Sequence, residues 1–100
     1  VFLGCRYFGG DVEYVMAGSG HIAGVVNPPA ANKYQHFTGG KPVGDFEEWI
    51  AKAAENPGSW WPHWQRWVER KDNTRLPART PGKNLTVLGD APGSYVRMRV

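Results

Sequence analysis

Residues 11–29 read DVEYVMAGSGHIAGVVNPP, and their pattern decides how the chain is understood. Asp11 to Ala17 alternate as a strand does: Val12, Tyr14 and Met16 share one face, with Val15 and Ala17 on the other. Apolar groups on both faces suit a strand inside a covered sheet. Gly18, Gly20 and Gly24 then surround His21, with no bulky residue just before the ring. Glycine here admits positive φ and close backbone approach, so the imidazole can turn back over the strand's end. In open α/β sheets ligand chemistry gathers beyond the carboxyl ends of strands. The pattern fits a catalytic base, and it also fits a loop histidine that only caps or hydrogen-bonds. Asn27-Pro28-Pro29 turns the chain away from the loop.

Upstream, Val1 to Phe8 is apolar, with Leu3, Tyr7 and Phe8 at near-helical spacing, and it stops at Gly9-Gly10. This predicts the last turn of a helix closed by a left-handed glycine. Downstream, residues 18–44 read as loop. Asp45 with Glu48 three residues on predicts a capped helix start, whose buried stripe is Phe46, Trp49, Ile50 and Ala53. Asn56-Pro57-Gly58 ends that helix. Ser59 can cap a second helix with Pro62 in its first turn, where a missing N–H costs nothing. Trp60, Trp64, Trp67 and Val68 line one face of it, expected to be buried, opposite Gln65, Arg66 and Glu69. His36 and His63 are expected at the surface. Residues 72–83 are polar and punctuated by proline. Two short strands, 85–88 and 95–100, are predicted around the turn Gly89 to Gly93.

One hundred residues fit a single domain or a piece of one, and the chain opens on valine, as if cut from something longer. From Arg66 onward, eight Lys/Arg against three acids leave +5, so the overall charge of +3 leaves −2 in residues 1–65. Such a tail can attract anions, but its charges stand singly and read as a solvated surface, with no nucleic-acid partner expected. The single cysteine excludes an internal disulfide and suits a cytosolic setting. No apolar run approaches the roughly 20 residues of a membrane span. One Cys and three scattered His give no metal-ligand spacing, and no metal or cofactor is expected.

GSGHIAGVVNPP, Asn32-Lys33-Tyr34, Glu48-Trp49, Pro57-Gly58-Ser59-Trp60-Trp61-Pro62 with Trp64, and Ala91-Pro92-Gly93-Ser94-Tyr95-Val96 occur here in order. Together, over residues 11–100, this string resembles the C-terminal end of class I polyhydroxyalkanoate synthases.

The resemblance implies an α/β fold: the C-terminal part of an α/β-hydrolase-like catalytic domain. It would comprise a last central-sheet strand with the His loop (1–44), a helical pair (45–71), and a loop with short C-terminal strands (72–100). It also implies an acyltransferase that polymerises (R)-3-hydroxyacyl-CoA into polyester and releases coenzyme A. The family's triad is Cys–His–Asp, and the histidine of its Gly-His-Ile-Ala-Gly motif matches His21, which would be the general base. Imidazoles ordinarily titrate near pH 6.5 and thiols near 8.5, so such a base is what a thiol nucleophile needs. The implied partners are the acyl-CoA substrate, the growing polyester chain, the polyester granule surface in the cytoplasm, and a second copy in a homodimer. The family nucleophile sits in a Gly-x-Cys-x-Gly elbow that this chain lacks. Cys5, in Leu3-Gly4-Cys5-Arg6-Tyr7, reads instead as a small buried helix residue. The family aspartate would precede this chain, and Asp11 does not take its role. Two other readings are a related depolymerase or esterase, and a basic, tryptophan-rich binding module with exposed indoles.

Overall fold

A computed structural model describes residues 1–99. Three short strands, β1 (Val15–Ala17), β2 (Gln35–Thr38) and β3 (Ala54–Pro57), form one antiparallel sheet with β2 in the middle. Met16 lies opposite Phe37, and Phe37 opposite Glu55. The strand predicted over 11–17 survives as 15–17, because β2 stops at Thr38. There Gly39 and Gly40 (φ +66°) turn the chain, and a last bond joins Tyr14 N–H to the Gly40 carbonyl at 3.0 Å.

Helix α1 (Phe46–Lys52) starts as its sequence predicts: Asp45 Oδ1 accepts from the Glu48 N–H at 2.8 Å. Trp49 is buried on its inner stripe, with Phe46, Ile50 and Ala53 half-buried. Helix α2 (Trp61–Lys71) opens on Ser59, whose Oγ accepts the Trp61 N–H at 3.1 Å, and ends on Arg70 and Lys71. The apolar cluster joins Phe2, from a 3-10 turn over Phe2–Tyr7, to Tyr14, Phe46 and Trp49. Its edge-to-face pairs lie 4.9–5.6 Å apart, spacings that favour aromatic packing. Phe2 and Trp49 are the buried apolar side chains among the described residues. Burial raises the Tyr14 hydroxyl above its usual 10.0, and the neighbouring Cys5 thiol adds to this.

Several expectations need correction. The N-terminal turn is 3-10 rather than α, and it ends at an extended Phe8 (φ −90°, ψ 130°) with no left-handed glycine after it. Residues 18–44, expected as loop, contain β2, and β3 occupies the stretch expected only to end α1. Both were hidden because Gln-His-Phe-Thr and Ala-Glu-Asn-Pro carry little apolar alternation; they are strands because they pair with each other. His36 is buried at 7% exposure in β2, and its Nδ1–H donates to the Gly58 carbonyl at 3.1 Å.

The expected burial of the tryptophan face is also corrected. Trp60, Trp64 and Trp67 do share one side, but Trp64 is 54% exposed. Strands of three or four residues are too short to cover an eleven-residue helix about 16 Å long. β1, expected inside a covered sheet, is an edge strand here, since no parallel neighbour exists among the described residues. Neither predicted C-terminal strand is present among the described residues: 85–94 is bend, turn and irregular chain, and Tyr95–Arg97 is a 3-10 turn. Val100, the end of the second, lies outside the described residues. The radius of gyration is 19.4 Å, against about 13 Å for a compact 100-residue domain; the segment after α2 does not fold back.

Candidate active site

β1 delivers the chain to His21 through a braced loop. Gly18 N–H donates to the Gln35 carbonyl at 2.8 Å, so the loop leaves the sheet still tied to β2. A side chain at Gly18 would meet that carbonyl and the Gln35 side chain at 2.8 Å. The left-handed residue here is Ser19 (φ +68°) rather than Gly18 or Gly20. Such a conformation costs a non-glycine residue on the order of 1–3 kcal/mol and is typical of functional sites. One helical turn follows, with Gly24 N–H on the Gly20 carbonyl at 3.0 Å and Val26 N–H on the Ile22 carbonyl at 2.8 Å. Gly24 is required by close approach, since a Cβ there would collide with the carbonyls of Ser19 and Gly18. Gly20 has open space around it and no positive φ, so nothing in the structure explains it.

His21 is exposed at the head of this turn. It borders an open cavity of about 420 Å³ lined by Val1, Tyr14 to Ala17, Val25 and Trp60. Asn27, buried after the turn, donates from Nδ2 to the Lys33 carbonyl at 2.8 Å and fixes the way out of the loop. The top of the loop is tied to α2. Trp60 Nε1–H and Trp61 Nε1–H both donate to the Val25 carbonyl, at 3.1 and 2.9 Å.

A second constellation was not legible in the sequence. Glu13, just before β1, accepts from His63 Nε2 at 2.6 Å and from Arg70 at 3.0 Å, joining α2 to the sheet. His63 is therefore a partly buried packing group and not the surface residue expected. Its ring lies 6.3 Å from that of His36. Beside the pair is a smaller cavity of about 230 Å³ lined by Val15, Trp60, Trp64 and Trp67, and Lys71 Nζ sits 5.5 Å from the Trp67 ring. A separation of 50 residues between Glu13 and His63 leaves no local signal.

Compared with known proteins, the chain matches no family model. It is 64% identical over 99 residues to the poly(3-hydroxyalkanoate) polymerase subunit PhaC of Rhizobium meliloti (strain 1021). The chain belongs to the poly(3-hydroxyalkanoate) polymerase family. That match covers 99% of this chain and 16% of the relative. The poly(3-hydroxyalkanoate) polymerase of Methylorubrum extorquens is 56% identical over 101 residues, covering 99% of this chain and 17% of the relative. For the PhaC subunit of Cupriavidus necator the identity is 38% over 90 residues, 88% of this chain and 15% of the relative. The chain thus spans about a sixth of the length of the curated relatives it matches.

Within this polymerase segment the structure brings His21, Gly18, Gly20 and Gly24 into one loop at the end of β1. Cys5 is half-buried in the N-terminal 3-10 turn, near Tyr14, and Asp11 is exposed ahead of β1. The carboxylate–histidine pair among the described residues is Glu13–His63 and does not involve His21. No group of three or more His, Cys, Asp or Glu among the described residues could hold a metal ion. No helix among them is long and apolar enough to cross a membrane.

Proposed function

We propose that this chain is the C-terminal segment of an α/β-hydrolase-like catalytic domain. Its parent would be an acyltransferase that polymerises (R)-3-hydroxyacyl-CoA into polyhydroxyalkanoate. His21 is the general base. One observation carries the reading: in a chain 64% identical to a named poly(3-hydroxyalkanoate) polymerase, an exposed imidazole stands on a braced, glycine-closed loop beside a cavity. In the proposed reaction a His21 ring nitrogen accepts the proton of a cysteine thiol supplied by upstream sequence. The thiolate attacks the acyl carbonyl, and the sulfur of coenzyme A leaves. The proton goes to the departing coenzyme A sulfur; His21 then takes the proton of a hydroxyl as that oxygen attacks the cysteine thioester, and returns it to the departing cysteine sulfur. A carboxylate from upstream would orient the ring. The segment alone lacks nucleophile and carboxylate, so it is inactive by itself.

The same reading divides the chain into a part with β1, β2 and the His loop (1–44), a part with α1, β3 and α2 (45–71) and a terminal segment (72–100). It places the parent, as a homodimer, at granule surfaces in the cytoplasm. The binding-module reading gains from the exposed Trp64 but loses from Trp60 and Trp61, whose N–H groups are already engaged. The test is His21→Gln in the full-length enzyme, with coenzyme A release followed by thiol titration and folding followed by thermal melting. A fall of at least about a hundredfold with an unchanged melt is expected, the usual scale for a general base. Activity within about tenfold of the parent would exclude the role.

A further inference from the structure

The Val25 carbonyl lies at the end of the hydrogen-bonded turn that carries His21, and carbonyls at the end of such a turn, like the last ones of a helix, need donors from outside it. An ordinary chain supplies them three or four residues later. Here those positions are Pro28 and Pro29, which have no N–H to give. The carbonyl is satisfied instead by two consecutive indoles, Trp60 at 3.1 Å and Trp61 at 2.9 Å, one for each lone pair. Both come from the start of α2, which Ser59 and Pro62 hold in register. Two separated pieces of sequence, Asn-Pro-Pro and Trp-Trp-Pro, are thus halves of one device: the first strips Val25 of backbone donors and the second replaces them.

We propose that Trp60 and Trp61 are positioning residues for His21, holding its turn in the orientation that proton transfer requires. The inference rests on His21 acting as the base. Trp60 and Trp61 act through the Val25 carbonyl and need not touch substrate. Because two donors serve one acceptor, removing either leaves the turn tied to α2, and removing both leaves the exposed carbonyl to water and the turn untied. The losses are therefore more than multiplicative.

The experiment uses the full-length enzyme with W60F, W61F and W60F/W61F, which keep an aromatic ring and delete the N–H. Each single variant should lower kcat by about threefold, the scale of one modest hydrogen bond. The double should lower it by about thirtyfold or more, with KM within about twofold, since misplacement of a catalytic group acts on the chemical step. W64F, on the same face of α2 but without a bond to the loop, is the control for merely structural loss. H21Q in the same assay separates the two claims. If H21Q retains activity, the general-base reading fails. If H21Q is inactive and W60F/W61F stays within about threefold of the parent, the positioning role fails. A multiplicative double variant, or a rise in KM with kcat unchanged, overturns it as well. Should W60F/W61F not fold, 3-benzothienylalanine at both positions keeps the bicyclic shape, lacks the N–H, and must give the same fall in kcat.

Discussion

Trp49 and Leu88 are both large apolar side chains, yet the first is 4% exposed and the second 97%. The contrast holds for the regions they belong to. Residues 2–71 gather Phe2, Tyr14, Phe46 and Trp49 into one cluster against a sheet. Residues 72–99 hold Leu76, Leu85, Val87, Leu88, Tyr95, Val96 and Met98, and all of them are exposed. Apolar residues are fewer in the second region and nearly all aromatics lie in the first, but composition alone does not explain why every large apolar side chain of the second is exposed. What separates them further is that the first brings some of its apolar groups, Phe2, Tyr14, Phe46 and Trp49, against one another, while prolines and glycines interrupt the second before any periodic face forms. Hydrophobic side chains stabilise only where a complementary surface exists, and within this chain the terminal segment meets none.

The largest expected break between the regions is Trp49→Ala, which should cost the chain about 3–5 kcal/mol in urea unfolding, the range for a buried aromatic. Leu88→Ala should stay within about 0.5 kcal/mol. A comparable cost at both positions would mean the terminal segment is covered in solution. Next, Gly24→Ala should cost about 1–3 kcal/mol by overpacking against Ser19 and Gly18. Gly89→Ala, with open space and no positive φ, should be neutral or slightly stabilising. Equal effects in thermal melts would show that the His21 loop is looser than its contacts imply.

Smaller again is the capping pair. Asp45→Ala should remove about 1 kcal/mol by stripping the Glu48 N–H of its acceptor. Asp72→Ala, which loses only an exposed bond from Thr74 N–H, should change stability by less than about 0.5 kcal/mol. The smallest effect concerns pH. Burial, then Cys5, raises the Tyr14 hydroxyl above its usual 10.0, so the fold favours the neutral phenol. That contribution is complete below pH 10.0 and is lost as pH climbs through the folded-state value. Melting temperature should therefore fall more steeply in that range for the parent chain than for Tyr14→Phe. Parallel curves would place Tyr14 in solvent, outside the cluster.

The sequence alone determined features that are local. Asp45 caps α1 because the acceptor and the N–H it serves are three residues apart; Ser59 and Pro62 open α2 for the same kind of reason. The glycines around His21 mark a tight loop because backbone sterics act over one or two residues. The family, too, was legible, in motifs whose order and spacing stand in the sequence itself. Tertiary structure alone decided the rest. β2 and β3 exist because they pair with each other, not because either is apolar. Glu13 finds His63 across 50 residues and so buries a histidine expected at the surface. The tryptophan face stays half open because the sheet beneath it is short. Val25 is the sharpest case: the sequence shows two prolines that cannot donate to its carbonyl, but only the folded chain shows that two indoles, 35 and 36 residues away, take their place. Strand pairing, burial and non-local hydrogen bonds depend on which surfaces meet, and no window of neighbouring residues contains that information.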